Sequence, residues 1–293
     1  MKTGGFINHI KKFSRRYTQL IAAVLYNCNF KGFAAGKIYK GNIKGLCAPG
    51  LNCYSCPGAV VACPLGSLQS ALSRSAGRFP LYILGTLLLF GILLGRVICG
   101  FLCPFGLLQE LLYKIPVPKI KKSRITKILS YVKYVILGVF VVLIPFIKAA
   151  PGFCKYICPA GTLEAGIPLV LLNERLQDQI GFMFSWKVFI LAACLLLNSF
   201  CYRAFCRFIC PLGAIYSFFN PIAFFGVRVD KSKCTGCNGC IRICKMDTSR
   251  VGDRECIHCG ECRKVCPEGA IGYCFSVKDH FSNSKRPDVS AGK

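Results

Sequence analysis

Eight cysteines near the C-terminal end of the chain form two runs with the same spacing, and no other feature restricts the fold as strongly. The first run reads CTGCNGCIRIC and the second reads CIHCGECRKVC. In the pattern C-x2-C-x2-C-x3-C, three close thiolates bind one 4Fe-4S cluster and the fourth reaches a second cluster. The predicted quartets are Cys234, Cys237, Cys240 and Cys266 for one cluster, and Cys256, Cys259, Cys262 and Cys244 for the other.

A zinc site is the main alternative for closely spaced cysteines. Structural zinc sites need four ligands, which usually come as two C-x2-C pairs at wider separation. Two matched quartets favour iron and sulfur, and Gly236 and Gly239 suit loops that turn their amides toward sulfur. We therefore interpret 227–274 as a double 4Fe-4S ferredoxin-like α+β domain of the bacterial type. The polar segment 275–293 is predicted to be a disordered tail.

Most of the remaining chain is too apolar for a water-soluble domain. Of its 293 residues, 54% are hydrophobic and only 17% are charged. The segment 1–226 is therefore predicted to be an all-α membrane domain with about four transmembrane helices. The four apolar stretches are 17–33, 79–102, 128–147 and 186–201, and the shorter stretches 165–172 and 214–225 are predicted to be re-entrant or interfacial.

The charge distribution predicts an orientation in the membrane. The formal net charge is +26, but its lysines and arginines lie in loops beside apolar stretches, so we expect a membrane and no nucleic acid as partner. The N-terminal segment and the loop around Lys119 and Lys127 are both basic, which predicts that they face the cytoplasm. An even number of spans then returns the ferredoxin domain to the cytoplasm. The expected location is the cell membrane, with several crossings.

The membrane domain also contains an internal repeat. The strings RVICGFLCPFGLLQ from Arg96 and RAFCRFICPLGAIY from Arg203 share the pattern R-x-x-C-x-x-x-C-P-x-G. Two further strings, CPLGSLQ and CPAGTLE, resemble each other in loops that are predicted to lie on the opposite, outer side. Halves of about 17–110 and 128–216 with the same orientation indicate a parallel repeat about an axis normal to the membrane.

The inner motifs offer two cysteines from each half, which together make the four thiolates of one cluster. Arg96 and Arg203 stand where they can offset its negative charge. Packing alone explains isolated membrane cysteines, but it explains neither this spacing nor its repetition. The predicted inner ligands are Cys99, Cys103, Cys206 and Cys210.

The outer loops hold six cysteines, more than one cluster needs. Disulfides are an open alternative here, because thiols outside the cytoplasm oxidise. The repeated C-P-x-G strings mirror the inner motifs and favour at least one outer cluster. Of Cys47, Cys53, Cys56, Cys63, Cys154 and Cys158, the preferred ligands are Cys53, Cys56, Cys63 and Cys158.

The paired inner motifs, followed by the double-cluster run, resemble the membrane polyferredoxins of the NapH, NosR and CcoG type over about 81–273. The resemblance implies electron passage between a cytoplasmic or quinol-linked donor and a partner at or beyond the membrane. Some relatives instead serve in regulation or in assembly of metalloenzymes.

We accordingly expect a membrane-bound relay between a cytoplasmic donor, such as a ferredoxin or flavodoxin-like protein, and a membrane or extracytoplasmic acceptor. The chain shows no Ser-His-Asp set, phosphate loop or Rossmann glycine string, which favours a component of an oxidoreductase system over a stand-alone enzyme. A quinol-oxidising component of a respiratory complex and an electron-supplying assembly or regulatory factor remain alternatives. A hydrocarbon core of about 30 Å requires intermediate centres or loops that dip inward.

Overall fold

The computed structural model describes residues 15–74, 80–120, 122–178 and 180–275. The predicted tail at 275–293 lies outside the described residues except for Phe275. Helices make up most of the described chain, as predicted for 1–226. Among the described residues, two short strands form, Phe225–Val229 at the end of the predicted membrane domain and Ile271–Phe275 after it.

The first half of the membrane domain consists of short helices joined by compact loops. They are α1 (Arg15–Tyr26), α2 (Phe30–Ala35), a 3-10 turn (Asn42–Gly45), α3 (Pro64–Arg74), α4 (Leu81–Leu94), α5 (Val97–Phe101) and α6 (Pro104–Leu112).

The second half contains longer runs of consecutive helical residues, and two of these runs include π-helical turns. Each α-helical or π-helical part of a run has its own range. They are α7 (Arg124–Leu129), α8 (Val132–Ile136), a π-helical turn (Leu137–Leu143), α9 (Ile144–Lys148), α10 (Gly152–Tyr156), α11 (Pro159–Gly161), a π-helical turn (Thr162–Gly166), α12 (Ile167–Leu172), α13 (Glu174–Gln177), α14 (Phe182–Phe200), α15 (Ala204–Phe208), α16 (Pro211–Phe219) and a 3-10 turn (Asn220–Ile222).

Two helices among the described residues are long and apolar enough to cross a membrane. Arg124–Lys148 has 25 residues and Phe182–Phe200 has 19, and they match the third and fourth predicted spans. The second predicted span forms the apolar helix Leu81–Leu94 of 14 residues, which ends at Gly95 with a positive φ of 51°. The first forms α1, of 12 residues. Four membrane crossings therefore remain a prediction.

The C-P-x-G strings have a common local structure at the start of helices. Cys103, Cys158 and Cys210 are N-cap residues, and the proline after each occupies the first helical turn. Proline is well suited to that position, because the amide it lacks would have no partner inside the helix. Cys63 likewise directly precedes α3. Each of these thiols therefore lies at a helix N-terminus, where partial positive charge favours a thiolate.

The ferredoxin-like part contains both strands and two short helices. Strands β1 (Phe225–Val229) and β2 (Ile271–Phe275) pair antiparallel, with Val227 opposite Tyr273. Between them, α17 (Gly239–Ile243) and α18 (Glu261–Lys264) lie within the two cysteine runs. The sheet therefore closes the segment that carries all eight cysteines.

Contacts bring the loop between the second and third predicted spans against the ferredoxin-like part. The Lys122 ammonium donates to the carbonyls of Ile241 and Arg242 at 3.1 and 3.0 Å. Arg207, from the second inner motif, forms an ion pair of 3.4 Å with Asp247. The distribution of charged residues predicts that these segments lie on the same side of the membrane.

Candidate metal centres

One cavity of about 290 Å3 is lined by all four members of the second ferredoxin quartet, Cys244, Cys256, Cys259 and Cys262, and also by Cys240 of the first quartet. Burial raises the pKa of the Cys256 thiol to about 12, so a metal is required to hold it as a thiolate. The first quartet differs from the second in one member, since Cys237 is exposed while the other seven cysteines of the two quartets are partly buried.

The loop between Cys256 and Cys259 packs directly on the first inner motif. A Cβ added to Gly100 would lie 2.3 Å from the carbonyl oxygen of Ile257, so only glycine permits this approach. Ile257 is 1% exposed and belongs to the same core cluster as Cys99 and Cys103. The second ferredoxin quartet is thus adjacent to the inner cysteines.

Glu255 joins the same loop to the membrane domain by charge. Its carboxylate forms ion pairs with Arg96 and Lys133, whose side chains are fully buried. Burial alone would raise the pKa of Glu255, but these two cations lower it below its usual value. A carboxylate next to a cluster ligand therefore neutralises cations in the membrane domain.

Asn220 makes a second connection between the two parts. Its side-chain oxygen accepts from the Arg96 amide at 2.9 Å and lies 3.0 Å from Nε2 of His258. Its side-chain nitrogen donates to the carbonyls of Asp253 and Cys256 at 2.7 and 2.9 Å. His258 also accepts from the Val227 amide, so it supports the loop as a hydrogen-bonding residue.

All four inner cysteines predicted from the repeat line one cavity, together with Gly50 and Leu51 of the outer loop. The cavity is small, with a volume of about 10 Å3. The members are Cys99, Cys103, Cys206 and Cys210, two from each half.

The arginines of the two inner motifs bind reciprocally across the repeat. Arg96 donates to the carbonyl of Cys206 at 3.2 Å, and Arg203 donates to the carbonyl of Cys99. The glycines of the C-P-x-G strings leave room for this exchange. A Cβ at Gly106 would lie 3.3 Å from the Arg203 guanidinium. The two halves therefore face each other through equivalent residues, which supports the repeat inferred from sequence.

The six outer cysteines separate into two groups. A cavity of about 300 Å3 is lined by Cys53, Cys63, Cys154 and Cys158, but not by Cys47 or Cys56. Three of the four preferred outer ligands therefore come together, whereas Cys56 is replaced by Cys154. The side chain of Cys56 is buried but does not line this cavity, although the Cys56 amide donates to the Cys53 carbonyl at 3.1 Å. Cys47 forms a backbone bridge with Ala62.

The donor sets fit iron-sulfur clusters in kind and number. The inner and outer cavities each offer four cysteines, the cavity at the second ferredoxin quartet offers that quartet and Cys240, and basic side chains lie nearby. Within the described ranges, no group of three or more His, Cys, Asp or Glu side chains is arranged to hold a single metal ion. Cubane ligands bind different irons, so they surround a volume rather than converge on one point.

Comparison with known proteins identifies the group to which the chain belongs. A family model described as a 4Fe-4S binding domain matches residues 77–123, 132–167 and 181–230, and a second model with that description matches 252–272. An uncharacterized protein of Methanocaldococcus jannaschii is 33% identical over 195 residues, covering 63% of this chain and 67% of the relative. NapH of Escherichia coli, a ferredoxin-type protein, is 25% identical over 243 residues, covering 76% of each. The chain belongs to the 4Fe-4S polyferredoxins of the NapH and NosR type.

This polyferredoxin covers a smaller part of other relatives. The regulatory protein NosR of Pseudomonas aeruginosa is 30% identical over 195 residues, which are 62% of this chain but 26% of that protein. No solved structure matches the chain. The first family model includes both inner motifs and also the outer motif of the second half.

One position within the C-P-x-G strings was not predicted from the sequence as a contact site and is apparent only in the structure. The sixth residue after the cysteine of a C-P-x-G string contacts a cysteine of the opposite half in three of four cases. These residues are Gln69, Gln109 and Glu164, which end the strings CPLGSLQ, CPFGLLQ and CPAGTLE. The Gln or Glu that recurs in the repeated strings could have indicated this position. No sequence pattern indicated Glu255, since a single acidic residue beside a predicted ligand cysteine is common.

Proposed function

We propose that this polyferredoxin is a membrane-bound relay for single electrons between a soluble donor at the ferredoxin face and an acceptor in the membrane or beyond it. The ferredoxin-type relatives and the 4Fe-4S family models support an iron-sulfur electron-transfer role. When bound, each cluster takes up and releases one electron, while the protein tunes its potential through charge, hydrogen bonds and exposure.

One observation carries the proposal: Ile257 touches Gly100, so the second ferredoxin quartet meets the inner cysteines without an intervening layer of protein. Electron transfer proteins need their centres close together, and this contact supplies closeness between two separate sequence motifs. The quartet that includes Cys237 lies on the solvent side of this junction. The chain thereby arranges its thiol sets in an order that runs from solvent toward the membrane domain.

Charge near the exposed quartet indicates the type of donor. Lys233, Arg242 and Lys245 are exposed close to its cysteines in sequence. Basic groups at a docking face raise the association rate of acidic partners. An acidic carrier protein of the ferredoxin or flavodoxin kind is therefore the proposed donor.

The inner site is suited to a cluster of relatively high potential. Reduction adds negative charge, and net positive charge around this site stabilises it. Arg96 and Lys133 share the single carboxylate of Glu255, and Arg203 and Arg15 share that of Glu110. The hydrogen bond from Gln109 to Cys206 Sγ, at 3.0 Å, acts in the same direction. Electrons placed on the exposed quartet would then move downhill toward the membrane domain.

A quinol-linked role is the second candidate, and one groove favours it. An apolar groove of about 150 Å3 lies between α14 and the second inner motif, bordered by Phe189, Leu197, Phe205 and Ile209. Such a groove suits the ring or tail of a quinol. Reduction of the clusters by a soluble quinol analogue, lost on Ala193→Trp, would favour this role over a soluble donor.

The shared inner cluster, on which the relay depends, is tested with Cys103→Ser and Cys210→Ser in the full-length protein, purified anaerobically. Both substitutions should remove the same EPR signal and the same iron, about four per chain, because neither half has four inner thiols. The ferredoxin signals should survive in both variants. Loss of different signals, or twice the iron loss in the double variant, would show that each motif holds a cluster of its own.

A further inference from the structure

We propose that the outer cysteines form a second membrane-domain 4Fe-4S site, held by Cys53, Cys63, Cys154 and Cys158 and built on the same plan as the inner site. The inference rests on the proposed relay for its purpose, but its ligand set rests on geometry alone. It replaces Cys56, which the sequence favoured, by Cys154.

The first support is that one thiol in each site has the same local structure. Cys158 accepts a hydrogen bond from the amide of Gly161 at 3.3 Å, and Cys210 accepts one from Gly213 at 3.4 Å. Both thiols cap the N-terminus of a helix, and the donor is the glycine of C-P-x-G in each case. Cys158 thus corresponds to Cys210 in position and in hydrogen bonding.

The second support is a glutamine that bridges the halves in both sites. In the inner site, Gln109 donates to Cys206 Sγ at 3.0 Å and accepts from the Cys206 amide at 3.3 Å. In the outer site, Gln69 donates to Cys154 Sγ at 3.3 Å and accepts from the Cys154 amide at 3.4 Å. Each glutamine is the sixth residue after a C-P-x-G cysteine of the first half. Cys154 therefore occupies the position of the inner ligand Cys206.

The fourth ligand, Cys53, is assigned from a contact between the halves in the reverse direction, in which a residue of the second half contacts a cysteine of the first. Glu164 is the sixth residue after Cys158, and its carboxylate accepts from the Cys53 amide at 2.6 Å. The inner spacing would put this ligand at residue 59, but that residue is alanine. Cys53 therefore supplies from the outer loop the thiol that the first half lacks.

The positions of the sulfur atoms support the binding of one cluster by all four thiols. A Cβ at Gly161 would lie 3.6 Å from Cys158 Sγ and 3.7 Å from Cys53 Sγ, so both sulfurs lie near the same point of the cavity wall. Lys155 and Lys187 border the same cavity and can offset negative charge. The four thiols therefore enclose a space with the donors and the charge that an iron-sulfur cluster requires.

The outer site is also close to the inner one. Leu51 lines both cavities, and a Cβ at the preceding Gly50 would lie 3.0 Å from the Cα of Cys103. The hydroxyl of Tyr216, which follows the second inner motif, donates to the carbonyl of Pro49 at 2.8 Å. The outer loop thus dips to the inner cysteines, which shortens the distance an electron must cross.

The test is an iron and sulfide count on the full-length protein, purified anaerobically in detergent. Cys154→Ser and Cys53→Ser should each lose about a quarter of the iron, because four cubanes share about sixteen thiolates. Cys56→Ser is the matched control, since Cys56 lies in the same loop, and Cys47→Ser is a second one. Both controls should keep the full count. Unchanged EPR signals of the ferredoxin and inner clusters would show that the variants are folded.

Two results would overturn the proposed ligand set. Iron loss in Cys56→Ser with full iron in Cys154→Ser would restore the assignment favoured by sequence. Full iron in all four variants, with outer thiols that alkylate only after reduction, would show disulfides instead. Neither result depends on electron flow, so a failed relay with a normal iron pattern would contradict the proposed function and leave this site intact.

Discussion

At the scale of single residues, buried charge connects the ferredoxin-like part to the membrane domain. Arg96 and Lys133 are fully buried, and each binds a carboxylate oxygen of Glu255. Removing one partner of a buried ion pair is costly, because the other charge stays desolvated. In contrast, Arg203 pairs with Glu110, a residue of the membrane domain itself. Only one of the two inner arginines therefore has its counter-charge in the ferredoxin-like part.

Replacing Glu255 with glutamine should destabilise the protein by on the order of 3 kcal/mol, since two buried cations lose their shared counter-charge. Thermal unfolding in detergent measures this as a melting temperature lowered by several degrees. Glu261→Gln is the matched control: Glu261 also precedes a cluster cysteine, but its pair with Lys264 is exposed and worth at most about 1 kcal/mol. Equal melting temperatures for the two variants would contradict the role of Glu255.

At the scale of elements, the junction between α5 and the Cys256 loop depends on a missing side chain. Gly100 lies between Cys99 and Cys103, and the Ile257 carbonyl occupies the space that a side chain would fill. Helix α5 is only five residues long, from Val97 to Phe101, so it cannot curve away from an added methyl group. The position of one cluster relative to the next is therefore sensitive to this glycine.

Gly100→Ala should lift the 255–259 loop from α5, at a cost of about 1–3 kcal/mol for overpacking. Hydrogen exchange followed by mass spectrometry should show faster exchange in that loop. Gly85→Ala in α4 is the control, because a Cβ there would meet nothing within 4 Å and alanine favours helix. Unchanged exchange in Gly100→Ala would mean that the loop is held by Glu255 and Asn220 alone.

At the scale of the whole molecule, contacts divide the loops into two sets. The Asn173 side chain donates to the Gly36 carbonyl at 3.2 Å, which joins the outer loops of both halves. The inner motifs and the basic loop instead contact the ferredoxin-like part, as in the bond from Lys122 to Ile241. The topology inferred from charge, in which each half has one outer and one inner end, stays a prediction.

A reporter fused after Lys293 should therefore indicate the cytoplasm, whereas cysteines introduced at Lys40 and Asn173 should react with an impermeant maleimide from outside. Labelling of the unsubstituted chain supplies the background from its native thiols. Because Gly36 and Asn173 touch, the two introduced cysteines should behave alike. Protection of both in intact cells, with labelling only after lysis, would reverse the predicted orientation.

Features whose residues lie close together in the chain could be predicted from the amino-acid sequence. Two C-x2-C-x2-C-x3-C runs are enough to indicate two clusters, because their ligand geometry is set largely by neighbouring residues. The inner motifs and the internal repeat were readable for the same reason. The lengths of the third and fourth apolar stretches also predicted the two long helices, Arg124–Lys148 and Phe182–Phe200.

Tertiary structure decided which residues meet across the two halves and across the two domains. Cys53 meets Glu164 at a separation of 111 residues, Gln109 meets Cys206 at 97, and Arg96 meets Glu255 at 159. No local spacing encodes such pairs, because they depend on how separate helices pack. Spacing alone could not choose between Cys56 and Cys154 for the outer cavity, since both lie near other cysteines in the chain. Packing places Cys154 on the cavity wall beside Gln69 and leaves Cys56 outside it.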